Sequence, residues 1–278
     1  MVRPMTAPGV RVPEPRSPGI DPSTPSSARI YDYVLGGKEN YECDRVAARG
    51  IFRVLPEAAQ AARENRAFLG RAVRHLVAEA GIRQILDIGS GLPTAAGNVH
   101  EVARRVDPAV RVVYADVDPL VLAHGRALLD RDPLTTVIRA DVRDPGALFA
   151  HPQLRALIDP AEPFAILLAS VLHHLPDDDD PVGLVDELVD RLPAGGHLLI
   201  SSFLAGDHPR AGDLEQAFRR HRISATRFRT WPEQQRFFAG LEMVDPGLAY
   251  VNDWRPDATT PTDSAVHTVH VAGVGRKP

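Results

Sequence analysis

The chain has 278 residues, 44% hydrophobic and 24% charged, enough to bury a core in one large domain with an extension. A formal net charge of -4 argues against DNA or RNA as a partner, because nucleic-acid binders carry a basic excess or stripe. The single cysteine, Cys43, excludes an intramolecular disulfide and a thiolate zinc cluster. With no apolar run near the roughly 18 residues of a membrane helix and no secretory stretch, a cytoplasmic protein is expected, with no membrane partner.

Residues 1–25 hold seven prolines and no hydrophobic periodicity, which predicts a flexible tail. A helical cap segment is expected over residues 26–81. It opens with ARIYDYVLGGKENYECDR, whose aromatics and Gly36-Gly37 are too particular for a linker. An amphipathic helix follows over residues 57–80, where Ala61, Ala62, Phe68, Leu69, Ala72, Val73, Leu76 and Val77 recur at helical spacing and Gly81 supplies the stop. Residues 82–278 form the main domain, in which short apolar runs alternate with helical patterns: QILDI, helix to Val106; VRVVYAD, helix to Leu129; TTVIRAD, helix to Ile158; FAILLAS, helix to Leu192; then GHLLISSF. That alternation predicts right-handed βαβ units and a parallel sheet buried on both faces. Further helices are predicted over residues 213–221 and 232–240, and a last strand within AVHTVHVAGVG.

Ligands of open α/β sheets bind beyond the carboxyl ends of the strands, so the residues ending each run matter most. The first run ends in LDIGSGLPT, where Gly89 and Gly91 allow a tight turn and close backbone approach before a helix expected to open near Thr94. A glycine pair alone is equally compatible with a plain strand-to-helix turn. Asp116 ends the second run, 25 residues beyond Gly91, where a carboxylate can take both hydroxyls of a ribose; Asp118, just before Pro119, is better placed as a helix cap. The third run ends in RADV and places Asp141 where it can accept from an adenine amino group. Glycine turn, ribose acid and adenine acid thus line one edge.

The runs ILDIGSGLP, VVYADVDP, IRADV, ILLASVLHHLPD and RLPAGGHLLIS resemble the successive motifs of class I S-adenosylmethionine methyltransferases. The flanking PSSARIYDYVLGGKENYECDR, FRTWPEQQRFFAGLEMVDPG and WRP resemble an actinobacterial subfamily of them. The resemblance implies a Rossmann-like, doubly wound, mostly parallel sheet of about seven strands with an antiparallel last strand, and S-adenosylmethionine as cofactor. It implies that Asp87, Gly89 and Gly91 hold the methionine moiety, Asp116 the ribose and Asp141 the adenine, with Val142 and Ser170 also at the cofactor. This sequence departs from the pattern at Pro93, where a third loop glycine is usual, and at Ala165, where some relatives carry an acid.

A nicotinamide dehydrogenase would need a third glycine where Thr94 stands, and neither Ser90 nor Ser170 has the flanking glycines of a hydrolase elbow. Adjacent His173 and His174 point in different directions, so with Asp177 to Asp180 they read as a solvated turn and helix cap rather than a metal site. Methyl transfer needs orientation more than a base, so the lack of an obvious base does not exclude catalysis; a non-catalytic cofactor-binding sensor is the alternative. Residues 29–40 are the expected lid, with Tyr31 and Tyr33 packing on the cofactor and Gly36-Gly37 approaching it closely. Residues 204–261 are expected to wall the acceptor side and His174 to face a small-molecule acceptor.

Overall fold

The computed structural model describes residues 19–94, 97–129 and 132–278. Most of the expected tail, residues 1–18, lies outside the described residues. In chain order the elements are α1 (Ser27–Val34), α2 (Glu42–Val54), α3 (Ala58–Ala78), β1 (Gln84–Ile88), α4 (Val99–Arg104), β2 (Arg111–Asp116), α5 (Pro119–Leu129), β3 (Thr135–Arg139) and α6 (Pro145–Ala150). They continue with α7 (Pro152–Leu157), β4 (Ala165–Ala169), α8 (Pro181–Asp190), β5 (His197–Phe203), α9 (Ala211–Arg220), α10 (Trp231–Arg236), β6 (Glu242–Met243), β7 (Ala249–Tyr250) and β8 (His270–Arg276).

The strands join in one sheet of order β3-β2-β1-β4-β5-β8, with β6 and β7 both pairing β8. Strands β1 to β5 are parallel, and β8 runs antiparallel to β5 from His197↔Arg276 to Phe203↔His270. The expected doubly wound sheet is therefore present, with eight strands filling seven positions because β6 and β7 divide the outermost one. Pro246, without an N–H, and Gly247, which turns back to donate to the Val244 carbonyl at 2.8 Å, interrupt that edge; two-residue strands leave no periodicity to read. The chain winds outward from β1 to β3, then returns to place β4 on the other side of β1. That reversal opens a crevice between the carboxyl ends of β1 and β4.

Alternation along the strands fills both faces. Ile85, Val112, Leu167 and Leu199 pack under α3 with Phe68 and Trp254, whose rings meet edge-on at 5.4 Å. Leu86, Val113, Ile166 and Leu198 pack on the opposite face with Leu148, Leu154, Val185 and Leu188 of α6, α7 and α8. Each such buried side chain contributes roughly 1.5–3 kcal/mol, and truncating Phe68 to alanine would cost about 3–5 kcal/mol. A third cluster, with Ile30, Ile51, Leu55, Leu214, Phe218 and Phe228, joins α1, α2, α3 and α9 beyond the carboxyl end of β5.

Several boundaries differ from the sequence expectation. The helix expected to end at Ile158 is two, because Pro152 cannot donate and holds His151 extended at ψ 125°. The helix expected near Thr94 starts at Val99, where Asn98 and Glu101 form a capping box and the Thr94 N–H is taken by Asn98 Oδ1 at 3.0 Å. The helix expected over residues 232–240 tightens after Arg236 into i→i+3 turns. Of the last predicted strand only residues 270–275 pair, with pairing running on through Arg276, since Val266 and Val269 turn into the third cluster.

Candidate active site at the carboxyl edge of the sheet

A cavity of about 820 Å³ fills the crevice and extends between α1, α2, α3 and α9. Asp87, Gly89, Gly91, Asp116, Asp141, Val142, Ser170, His174 and Tyr31 line it together, although they are spread over residues 31–174. Tyr33, Gly36 and Gly37 do not. Gly36, at φ +87°, donates to the Tyr33 carbonyl and Gly37 to that of Asp32, which is the hydrogen-bond pattern of a Schellman helix end. A Cβ on Gly37 would lie 1.9 Å from the Asp32 carboxylate, which itself accepts from the Glu39 N–H and Asn40 Nδ2 at 2.9 Å each. The Gly-Gly pair thus ends α1 and turns the chain toward α2, and Tyr33 sits beside Arg49.

The glycine loop is pinned to β2. Gly89 and Ser90 donate to the Ala115 carbonyl at 2.8 and 3.3 Å, and Gly91 donates to Asp116 Oδ2 at 2.9 Å. Gly89 adopts φ +67° with Val171 Cγ2 2.6 Å from any Cβ, so a side chain is excluded there on two counts. Asp116 also accepts from the Asp118 N–H at 2.9 Å, which fixes its carboxylate in the cavity wall while burial raises its pKa. Asp118 takes the cap position, accepting from the Leu120 N–H at 2.8 Å and from the Ser26 hydroxyl.

Asp87 stands beneath the loop, 4% exposed, with no hydrogen-bond donor on its carboxyl among the described residues. Burial pushes its pKa to about 7, against the pull of Arg66, and Asp116 adds to the rise. Asp141 is held differently. The Arg143 guanidinium grips its two oxygens at 3.0 and 2.9 Å; burial opposes ionisation, but this fork outweighs it and holds the carboxyl below its ordinary value. An adenine amino group at Asp141 would share the carboxylate with Arg143.

Two residues on α3 were not anticipated. Arg66 reaches the loop, donating to Thr94 Oγ1 at 3.1 Å and the Gly97 carbonyl at 2.7 Å. Asn65 donates to Ser170 Oγ at 3.0 Å, while its Oδ1 is buried with no partner. The available signal was position: Asn65 falls three to four residues after Ala61 and Ala62 and before Phe68 and Leu69, inside the apolar stripe. Ser170 itself has φ 60°, a strained backbone for a residue with a side chain, at the end of β4 beside Val171. Tyr31 borders the same group, its hydroxyl donating to the Ala62 carbonyl at 3.0 Å.

Residues 19–25, expected to belong to the tail, are held on the body. Asp21 accepts from the Ser23 and Thr24 hydroxyls at 2.6 Å each, the Arg29 guanidinium donates to the Thr24 carbonyl, and Cys43 Sγ donates to the Pro22 carbonyl at 3.0 Å. Arg29 in turn pairs with Asp44 at 2.9 Å, side chains 4% and 0% exposed. Gly19, Asp21, Thr24, Pro25 and Ser26 therefore border the cavity above Asp118.

Beyond Ser170 the walls change character. His173, His174 and His270 meet Phe203 and Phe218 there, with His270 4.0 Å and His173 4.6 Å from the Phe203 ring. His174 Nδ1 bonds Ser224 Oγ at 2.8 Å. Burial pushes His174 down to about 4 and His270 to about 3, and His173 is also well below its ordinary value, so all three are neutral at pH 7. Among the described residues no cluster of His, Cys, Asp or Glu is placed to hold a metal ion, and no helix is long and apolar enough to cross a membrane.

These features fit S-adenosylmethionine. Asp87 and Asn65 Oδ1 are buried acceptors without donors, Arg66 is a cation beside the loop, and the fixed Asp116 carboxylate faces the same space. Residues 13–278 match the model of the S-adenosyl methyltransferase family. A candidate methyltransferase of Thermobifida fusca is 44% identical, with TM-score 0.87 over 92% of this chain and 96% of that one. A DUF574 family protein of Streptomyces avermitilis is 40% identical, with TM-score 0.89 over 94% of this chain and 100% of that one. No curated protein matches. The chain belongs to the S-adenosyl methyltransferase family and is an S-adenosylmethionine-dependent methyltransferase of class I.

Proposed function

We propose that the protein transfers a methyl group to a small molecule enclosed between the sheet edge and the helices α1, α2 and α9. The supporting observation is the shape of the site: the cavity runs on from the glycine loop past Ser170 into a chamber walled by side chains from distant parts of the chain. When bound, S-adenosylmethionine supplies an electrophilic methyl carbon on a sulfonium sulfur. Asp116 would hold the ribose hydroxyls, Asp141 and Val142 the adenine, and Asp87 with Asn65 Oδ1 the ammonium of the methionine moiety. Arg66 would face its carboxylate. The apolar chamber excludes water around the acceptor, which favours a reaction that discharges a sulfonium.

The chain's own contribution is then position. Ser170 and Asn65 stand between the two ends of the cavity, and the residues 19–29 cover the strand edge. To test this reading, purified protein is incubated with methyl-labelled S-adenosylmethionine and a cell extract, which is then separated by size. Label in the low-molecular-mass fraction is the expected outcome. Label confined to protein or RNA contradicts a small acceptor, and absence of transfer with intact cofactor binding favours the sensor alternative.

A further inference from the structure

We propose that the acceptor is an uncharged aromatic compound bearing a hydroxyl group, seated against His173, His174, His270, Phe203 and Phe218. This deepens the preceding reading and rests on it. The charged groups lining the cavity are engaged elsewhere or belong to the cofactor end. Arg29 is paired with Asp44, Arg143 with Asp141 and, at 3.9 Å, Asp179, while Arg66 is spent on Thr94 and Gly97 beside Asp87. Asp21 holds Ser23 and Thr24, and Asp118 caps α5.

The far end offers Ile51, Leu55, Leu214 and Ile223 with the two phenylalanines, and its polar atoms are neutral imidazole nitrogens and the Ser224 hydroxyl. A carboxylate placed there would lack a cation, and a protonated amine would lack an anion; each would lose hydration without recompense. An aromatic ring instead meets ring faces and edges, and a hydroxyl meets imidazoles that can accept its proton in a hydrogen bond. Chemistry agrees with this polarity. Methylating a neutral hydroxyl breaks the O–H bond and forms an O–C bond to the transferred methyl, while the C–S electron pair stays on sulfur. The released proton passes to a neutral imidazole nitrogen and on to solvent.

The test uses the full chain loaded with S-adenosylhomocysteine and three probes that share one naphthalene ring at pH 7: 2-naphthol, 2-naphthoate and protonated 2-(aminomethyl)naphthalene. Calorimetry of S-adenosylhomocysteine alone reports the cofactor reading separately. The expected result is that 2-naphthol binds at least about tenfold more tightly than either ion. Its affinity should fall at least about fivefold in Phe218→Ala while S-adenosylhomocysteine binding is unchanged. The proposal is overturned if the loaded protein prefers either ion, binds no probe, or binds 2-naphthol equally well in the variant. Failure of S-adenosylhomocysteine itself to bind overturns the cofactor reading first, and this one with it.

Discussion

The two ends of the cavity are made of different materials. The cofactor end is built from strand termini and the loops that follow them, joined by Asn65 and Arg66 of α3; its Asp116 carboxylate accepts from backbone N–H groups and its Arg66 guanidinium donates to the Gly97 carbonyl. The acceptor end is assembled from α1, α2, α9, the turn after β4 and the start of β8, and its side chains are apolar or neutral. One end recognises charge on a fixed framework. In our proposal the other seats an uncharged acceptor, and its lining is brought together by long-range packing.

If that division is right, changes at the two ends separate. Removing the charge of Asp87 should have a large effect at neutral pH. Its pKa is raised to about 7 from 3.8, so the folded state binds more protons than the unfolded one between those values, and the penalty of ionising it grows as pH rises through that window. Asp87→Asn should therefore stabilise the ligand-free protein increasingly from pH 4 to 7, levelling off above, by up to roughly 4 kcal/mol. Thermal unfolding measured at pH 5 and 8 checks this; an equal shift at both values contradicts it.

The histidines predict the opposite sign. His174 and His270 are lowered to about 4 and about 3, so the unfolded chain binds the extra protons, and stability is lost as pH falls below the ordinary histidine value of 6.5. Each should contribute about 1.4 kcal/mol per pH unit across its window. His270→Phe should flatten the acid limb of a plot of melting temperature against pH, and an unchanged limb would show that this imidazole is not buried as described.

Arg66→Ala sharpens the cofactor end. Loss of a charge-assisted hydrogen bond of roughly 1.5–3 kcal/mol should weaken S-adenosylhomocysteine about tenfold or more while leaving adenosine, which lacks the carboxylate, unaffected. Equal losses for both ligands would place Arg66 in loop support alone. The smallest effect is expected at Gly36. An alanine at φ +87° should cost about 1–2 kcal/mol of stability without changing cofactor affinity, and a weakened affinity would restore the glycine pair to the cofactor site.

The same division governs what was legible in the sequence. The sheet could be read because its strands are near-continuous apolar runs, and Asp116 could be placed because it ends one of them. Asn65 and Arg66 sit in a helix whose pattern announces only packing; a polar residue inside the apolar stripe was their one sign. Gly36 and Gly37 were legible as special but not as a helix end, since a Schellman motif and a close ligand approach ask for the same residue. His173 and His270, separated by almost a hundred residues, meet at one chamber only through the antiparallel return of β8 beside β5.

The central claim, a cofactor site organised around the Asp116 carboxylate, is tested most directly by isothermal titration. S-adenosylmethionine and S-adenosylhomocysteine are titrated into wild type and Asp116→Ala, with NAD as control. Binding of the adenosyl ligands, weakened at least about 100-fold in a variant of unchanged circular dichroism and with no response to NAD, is predicted from two charge-assisted hydrogen bonds. Folded wild-type protein that binds neither adenosyl ligand, or a variant that binds them as well as wild type, would contradict it.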